Sequence, residues 1–178
     1  YIQTVPIAVD SLAHVKDIEW WLRGDGYVTF CNESNRKQRA RVINAVEFKK
    51  YSRNSSFWEA DVQFYCEPVK RLINEEDIEV TSSGTTLTNP GMLKALPLME
   101  ITGSGAVSIT INGTTLIIPD LETGWVADCE NKWILDDGVP QFGAWQGEFP
   151  DIPAVGSSTI TFTGSITKIR ITPRWRYL

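Results

Sequence analysis

Residues 106–118 read Ala-Val-Ser-Ile-Thr-Ile-Asn-Gly-Thr-Thr-Leu-Ile-Ile and carry the clearest structural signal in the chain. Val107, Ile109 and Ile111 alternate with polar residues, as in a strand that buries one face and exposes the other. Asn112-Gly113 follows, and both of its residues tolerate the positive φ of a two-residue hairpin turn. This stretch therefore predicts an antiparallel β-hairpin.

Short extended runs recur on both sides of the hairpin, about every eight to twelve residues. They cover residues 78–81, 85–88, 96–102, 106–111, 114–118, 125–129, 132–135, 158–163 and 166–172. Gly103-Ser104-Gly105 separates two of these runs and predicts a tight turn, whereas residues 136–155 are rich in Gly and Pro and predict a long loop. The region has no helical periodicity, so an antiparallel β-sandwich is predicted.

The first part of the chain has a different pattern. Residues 11–23 predict one amphipathic helix, with Ser11 as its N-cap and Gly24 just after its end. Three antiparallel strands are expected to follow, at residues 27–31, 38–48 and 56–66. Three tryptophans in these periodic segments are expected in the core: Trp20, Trp21 and Trp58.

The predicted fold class is therefore mainly β, with two domains. Residues 1–72 form a small α+β N-terminal domain, and residues 73–178 form the antiparallel β-sandwich. We expect the joint at residues 68–74, because Pro68 disfavours continued strand pairing and the charge balance changes there.

Composition excludes several functional classes. The chain has 178 residues, of which 42% are hydrophobic and 22% charged, which is typical of a globular protein and unlike a disordered one. Residues 1–72 hold 11 Lys and Arg against 9 Asp and Glu, and residues 73–178 hold 6 against 13. The acidic second part opposes binding to a phosphate backbone, so no specific nucleic acid is expected as a partner. No apolar run is long enough for a membrane span, so no membrane partner is expected either.

Catalytic and cofactor motifs are missing from the sequence. His14 is the only histidine, and no nucleophile motif or phosphate-binding glycine loop accompanies it. The three cysteines have neither disulfide nor metal-ligand spacing. The acidic residues considered as a glycosidase pair or a calcium site are Asp120, Glu122, Asp128, Glu130, Asp136 and Asp137. They fit an acidic turn better, so we predict no enzyme activity, no cofactor and no metal.

Two clusters are candidates for contacts with other molecules. The first consists of four cations within six residues, namely Arg36, Lys37, Arg39 and Arg41. No stacking aromatic residue lies among them, so a solvated strand face or a contact with the acidic surface of another subunit is favoured over nucleic acid. The second consists of Trp125, Trp133 and Trp145, which lie in or near the long loop. They could plug the end of the sandwich, form an interface, or stack on a sugar ring.

The order of motifs resembles that of the distal tail proteins of siphophages, the long-tailed, non-contractile bacteriophages. Residues 18–30, Ile-Glu-Trp-Trp-Leu-Arg-Gly-Asp-Gly-Tyr-Val-Thr-Phe, are similar to the helix-to-strand segment of that family's first domain. Phe64-Tyr65-Cys66-Glu67-Pro68 is similar to the exit from that domain. The second half resembles the family's galectin-like sandwich at Asn89-Pro90-Gly91, Pro97, Gly103-Ser104-Gly105, Asn112-Gly113, Asp128-Cys129-Glu130, Gly147-Glu148-Phe149-Pro150, Gly156 and Pro173-Arg174-Trp175-Arg176.

This resemblance implies a structural role in the virion, at the tip of a phage tail assembled in the bacterial host cytoplasm. Members of the family form a hexameric ring that joins the tail tube protein to the tail-associated hub protein, and their second domains often carry receptor-binding proteins. Several strands normally precede the helix, so the first domain is expected to be N-terminally incomplete. The alternative is a carbohydrate-binding β-sandwich module that contacts host cell-wall glycans.

Overall fold

The computed structural model describes residues 1–178 and divides the chain into two compact units, Tyr1–Lys70 and Arg71–Leu178. Two antiparallel sheets and one α-helix account for the regular structure, which confirms the predicted mainly β fold class. The helix has only ten residues, and nothing helical in the chain is long and apolar enough to cross a bilayer.

The first unit contains a sheet and the helix. In chain order its elements are β1 (Ile2–Val9), α1 (Leu12–Trp21), β2 (Asp25–Val28), a short 3-10 helix (Cys31–Glu33), β3 (Arg36–Val42), β4 (Lys49–Lys50) and β5 (Trp58–Leu72). The sheet order is β1-β5-β3-β2, and β4 also pairs with β5. Strand β3 ends at Val42. Beyond it, the side-chain amide of Asn44 donates a hydrogen bond to the Asp61 carbonyl and accepts one from the backbone amide of Gln63, both at 2.8 Å.

Strand β1 was not predicted from the sequence. Its odd-numbered residues, such as Val5 and Ile7, turn toward the protein interior, as a strand with one covered face requires. Its outward residues include Ile2, Pro6 and Ala8, which are not polar. The alternation of apolar and polar residues that identifies a strand is therefore absent here.

Helix α1 presents a narrow apolar stripe to the rest of the unit. The side chain of Ser11 accepts a hydrogen bond from the backbone amide of His14, which confirms the predicted N-cap. Val15 and Leu22 are buried, whereas Trp20 and Trp21 are each 73% exposed. The expectation that these two indoles lie in the core is wrong, because a short helix buries only residues three and four apart on one side. Trp58 is half-buried.

Strand β5 continues past Pro68, contrary to the expectation that this proline ends strand pairing. Tyr1 and Cys66 exchange both backbone hydrogen bonds, so the even-numbered residues of β5 turn their backbone groups toward β1. Pro68 belongs to the same row but lies beyond the last residue that pairs with β1. Its missing amide hydrogen therefore removes no bond of that ladder.

The second unit is built entirely of strands. They are β6 (Ile78–Val80), β7 (Thr85–Asn89), β8 (Leu98–Ile111), β9 (Thr114–Leu121), β10 (Trp125–Asp128), β11 (Trp133–Asp136), β12 (Val139–Pro140), β13 (Gln146–Gly147), β14 (Gly156–Thr172) and β15 (Arg176–Tyr177). The predicted hairpin is confirmed: β8 and β9 pair in register around Asn112 and Gly113, whose φ angles are 51° and 78°. Val107, Ile109 and Ile111 are all buried.

One of the predicted turns is a bend within a long strand. Strand β8 runs without a break through Gly103-Ser104-Gly105, so the predicted tight turn is wrong. A Cβ on Gly103 would collide with the carbonyl oxygen of Ser165 on β14, and the β8–β14 register shifts near Gly164. These glycines permit two backbones to approach closely at a bulge, which produces the same sequence signal as a turn.

The long segment at residues 136–155 is more ordered than a loop. It contains β12 and β13, and its Ile152 is fully buried and bridged to Ala95. The core of the unit comprises Val80, Leu87, Ala95, Met99, Ile101, Val107, Ile109, Ile111, Leu116, Ile118, Leu121, Trp125, Ala127, Cys129, Ile134, Ile152, Ile160, Ile169, Ile171, Trp175 and Tyr177. One continuous core thus joins the strands of the unit, except β12 and β13, which contribute no residue to it.

Replacing Gly164 with Ala is expected to destabilise the second unit by about 3 kcal/mol, since its φ is +89° and the new Cβ would collide with the Ala106 carbonyl. Gly84→Ala is the matched control, because its φ is +92° but the space around it is open, so only about 1 kcal/mol should be lost. Urea unfolding measures both. Equal losses would contradict the close approach at Gly164.

Candidate functional site

One face of the sheet in the first unit lies open to solvent, and we call it the outer sheet face. The registers Ile2↔Tyr65 and Tyr27↔Arg39 place the exposed side chains of neighbouring strands side by side on this face. It comprises Ile2, Thr4, Pro6 and Ala8 of β1, Glu59, Asp61, Gln63, Tyr65 and Glu67 of β5, Lys37, Arg39 and Arg41 of β3, and Asp25 and Tyr27 of β2. It carries both signs of charge.

Three of the four cations predicted as a contact cluster share this face. Arg39 donates to the Asp25 carboxylate from Nε at 3.1 Å and from Nη2 at 2.6 Å, and this hydrogen bond lowers the pKa of Asp25. The Arg41 guanidinium and the Lys37 ammonium each lie 5.4 Å from a tyrosine ring centre, Tyr65 and Tyr27 respectively. Neither cation forms an ion pair, so this region, the basic end, keeps unneutralised positive charge.

The fourth cation, Arg36, lies apart from the other three. Alternation along β3 turns it away from the outer sheet face. Its Nη1 lies 3.5 Å from Glu33, a carboxylate that Lys70 also contacts at 2.6 Å. The hydrogen bond from Lys70 lowers the pKa of Glu33. Arg36 therefore belongs to an ion-pair group within the unit.

The opposite end of the outer sheet face is acidic. Glu59 and Asp61 lie on β5 and Glu47 just before β4; all three are exposed and form no ion pair, although Lys49 is opposite Glu59 in the strand register. Asp61 is four residues before Tyr65, about 13 Å along an extended strand. We call this region the acidic end. The face is thus polarised along β5.

The edges of this sheet offer little backbone for strand addition. Tyr1 and Cys66 exchange both backbone hydrogen bonds, so the odd-numbered residues of β1 form the backbone hydrogen bonds to β5. The backbone amide and carbonyl groups of the even-numbered residues therefore point away from β5, along the open edge. Pro6 is in the outward row and has no amide hydrogen to donate. At the other edge, β2 has only four residues. Side chains therefore dominate what this sheet presents to another molecule.

The three tryptophans of the second contact cluster do not share one surface. Trp125 is only 8% exposed, and its indole Nε1 is buried without a hydrogen-bond partner. Trp145 is half-buried against Phe149, with ring centres 5.4 Å apart. Trp133 alone is largely exposed. Phe142, which the sequence did not single out, is more exposed than any of the three.

Two of the acidic residues considered for catalysis, Asp128 and Glu130, contact arginines. Asp128 is 5% exposed and accepts hydrogen bonds from Arg174 at 2.7 Å and from the side chain of Asn131 at 2.9 Å. Glu130 contacts Arg174 and Arg71. Burial by itself raises the pKa of Asp128, but the hydrogen bonds from Arg174 and Asn131 outweigh it and lower the pKa. The cluster fixes the C-terminal segment.

The remaining reactive side chains are scattered. His14 is exposed and its Nδ1 lies 2.7 Å from the carboxylate of Asp10. Cys66 and Cys129 are buried, and burial raises the pKa of Cys129 to about 12, so its thiol stays protonated. No group of three or more His, Cys, Asp or Glu comes close enough to hold a metal ion.

Comparison with solved structures finds the same fold in a phage protein. The chain aligns with the crystal structure of SPP1 Dit (gp 19.1), described as a paradigm of the hub adsorption apparatus in phages that infect Gram-positive bacteria. The TM-score is 0.73 at 16% sequence identity, over 99% of this chain and 79% of that chain. No protein-family model and no curated protein matches the chain. At this identity the likeness establishes the fold, and it confirms the resemblance seen in the sequence at that level.

Asp128→Asn is expected to lower the free energy of unfolding by about 3 kcal/mol at pH 7, because it leaves Arg174 without its buried partner. Because the pKa of Asp128 is lower in the folded state than in the unfolded state, its carboxylate stabilises the fold at pH values above the unfolded pKa of about 3.9. This stabilisation disappears as the pH falls through the folded pKa. The difference between wild type and variant should therefore shrink toward pH 3 in urea unfolding. The exposed control Asp120→Asn should change little at either pH, and a constant difference for Asp128→Asn would contradict the ion pair.

Trp20→Ala is expected to change the free energy of unfolding by no more than about 0.5 kcal/mol, because the indole is largely exposed. Leu22→Ala, two residues later, should cost about 2 kcal/mol or more, because Leu22 is buried. Urea unfolding followed by circular dichroism compares them without relying on tryptophan fluorescence. A loss for Trp20→Ala as large as that for Leu22→Ala would place the indole in the core.

Proposed function

We propose that this chain is a structural component of a bacteriophage tail tip, where six copies form a ring that connects the tail tube to the hub and the receptor-binding parts. The observation that carries the proposal is the shared fold with SPP1 Dit over 99% of the chain. The family-like order of motifs from residue 18 to residue 176 supports it independently of the coordinates. The place of action is then the virion, after assembly in the bacterial host cytoplasm.

The surface of the first unit supports an assembly role. Large apolar side chains are more than a third exposed at Tyr1, Ile2, Leu12, Trp20, Trp21, Tyr27, Ile43, Tyr51, Phe57 and Tyr65. So many exposed large apolar side chains in a small unit favour surfaces that other proteins cover, and tryptophan and tyrosine contribute strongly to such contacts. We assign the outer sheet face to neighbouring copies, and Trp20 and Trp21 to the tail tube or the hub.

The second unit is assigned the outward position in this ring, as a galectin-like sandwich. Its acidic charge and its exposed hairpin residues, Trp133, Val139 and Phe142, provide a surface for receptor-binding parts. Because Trp125 is buried and Trp145 packs on Phe149, the three tryptophans do not form a sugar platform. We therefore do not propose glycan binding. The carboxylates nearest to a catalytic arrangement are held by arginines, in keeping with a role that transforms no substrate.

The decisive experiment measures the mass of the chain in solution. Size-exclusion chromatography with light scattering should show a closed oligomer near six times 20.0 kDa, and negative-stain microscopy should show rings. The tail tube and hub proteins of the same phage should bind the oligomer in pull-downs. A chain that stays monomeric at every concentration and binds neither protein would contradict the proposal.

A further inference from the structure

We infer that the basic end of the outer sheet face binds the acidic end of the same face on a second copy of this chain. This inference rests on the proposed ring, because it names the surfaces that join its neighbours. Arg41 and Lys37 supply the unneutralised cations, and Glu47, Glu59 and Asp61 supply the carboxylates.

The two ends cannot neutralise each other within one chain. Both are attached to the same rigid sheet, and Asp61 is about 13 Å along β5 from Tyr65, over which Arg41 lies. An ion pair requires an approach within about 4 Å. Opposite charges at the two ends can therefore meet only when another molecule brings one to the other.

A second copy fits the basic end better than a nucleic acid does. The cations there are interspersed with the carboxylates Asp25 and Glu67, and the chain as a whole has a net charge of -5. A phosphate backbone carries negative charge along its whole length and would also meet Asp25 and Glu67, whereas a folded surface can place its carboxylates at the cations alone. A second copy instead presents the three carboxylates of its acidic end, which match the unpaired cations in sign.

The basic end is also shaped and ordered for such a contact. An open groove of about 720 Å³ runs along it, bounded by Arg39, Arg41, Tyr65 and Glu67. The ion pair with Asp25 holds Arg39, and the Tyr65 ring holds Arg41, so little side-chain freedom remains to be lost on binding. Tyr65, Tyr27 and Ile2 add exposed apolar area on the same face.

The contact joins two different surfaces, which determines the kind of assembly that it builds. Each copy carries both ends, so every copy can bind one neighbour at its basic end and another at its acidic end. When the two ends of one copy bind two different neighbours, such head-to-tail contacts close into a ring if the rotation between copies divides a full turn. Because both ends share one face, two copies that bind each other at both ends would instead stop at a dimer, and the mass in solution distinguishes the two assemblies. Pro6 and the short β2 limit backbone pairing at the edges, so the charged side chains determine which surfaces meet.

Charge reversal tests the inference. Arg41→Glu makes both ends acidic and Asp61→Arg weakens the acidic end, so each variant alone should associate at least tenfold more weakly than wild type. An equal mixture of the two should recover the wild-type mass, because the residue changed in one variant then faces a residue of opposite sign in the other, while the two unchanged ends still match. The double variant on one chain should also recover. Light scattering over a concentration series measures all of these.

Two controls separate this contact from general effects of charge. Glu122→Arg and Lys132→Glu reverse exposed charges in the second unit and should leave association unchanged. Circular dichroism should show that Arg41→Glu and Asp61→Arg keep the fold, since both residues are exposed. Raising ionic strength from about 0.1 M to 1 M shortens the Debye length from about 10 Å to 3 Å and should weaken wild-type association.

The outcomes distinguish this inference from the proposed function. If the single variants keep the wild-type mass, or if the mixture does not recover that mass, the inference is overturned. The proposed ring would then be joined through another surface. If wild type is itself monomeric at every concentration and salt level, both fail. Loss in each single variant with recovery in the mixture supports the inference, and it supports the ring as well when the recovered mass is near six copies rather than two.

Discussion

The pairing of β8 with β14 is the contact on which the second unit depends. The two strands bond along nearly their whole lengths, and every other strand of the sheet path attaches to one of them or to a strand they hold. The first part of β8 pairs with β10 and its last part pairs with β9, so one bent strand serves both ends of the sheet. Because both strands alternate, the same contact lines the core with isoleucines, including Ile101, Ile109 and Ile169.

How much of this fold the sequence reveals depends on the range of the interaction involved. The hairpin at Asn112-Gly113 is predictable because its alternation and its turn are local. The bend at Gly103-Ser104-Gly105 is not, because only the approach of Ser165 from a distant strand distinguishes a bulge from a turn. Strand β1 was not detected for a different reason: three of its four outward side chains, Ile2, Pro6 and Ala8, are not polar, and the pattern that identifies a half-buried strand requires polar residues there.

The candidate site was only partly visible for the same physical reason. The cluster of Arg36, Lys37, Arg39 and Arg41 stands out in the sequence, but strand alternation separates Arg36 from the other three. The partner of Arg39, Asp25, is 14 residues away, and even the β2–β3 register places Arg41 rather than Arg39 opposite it, so the diagonal contact is seen only in the folded structure. The acidic end has no sequence signature, since Glu47, Glu59 and Asp61 are spread along the chain and the sheet brings them together. A polarised surface is therefore a tertiary property.

Both units protect sheet edges in the same way, and this limits how the chain can associate. In the first unit Pro6 is in the outward backbone row of edge strand β1. In the second unit, the backbone amide of Gln141 donates to the carbonyl of Ile134 on the neighbouring strand. The backbone nitrogen of the preceding residue, Pro140 on edge strand β12, therefore faces the open edge. An edge without that donor cannot extend a continuous ladder, which is how natural sheets avoid open-ended growth. Association through these edges is then left to side chains, whose charge and shape select the partner surface.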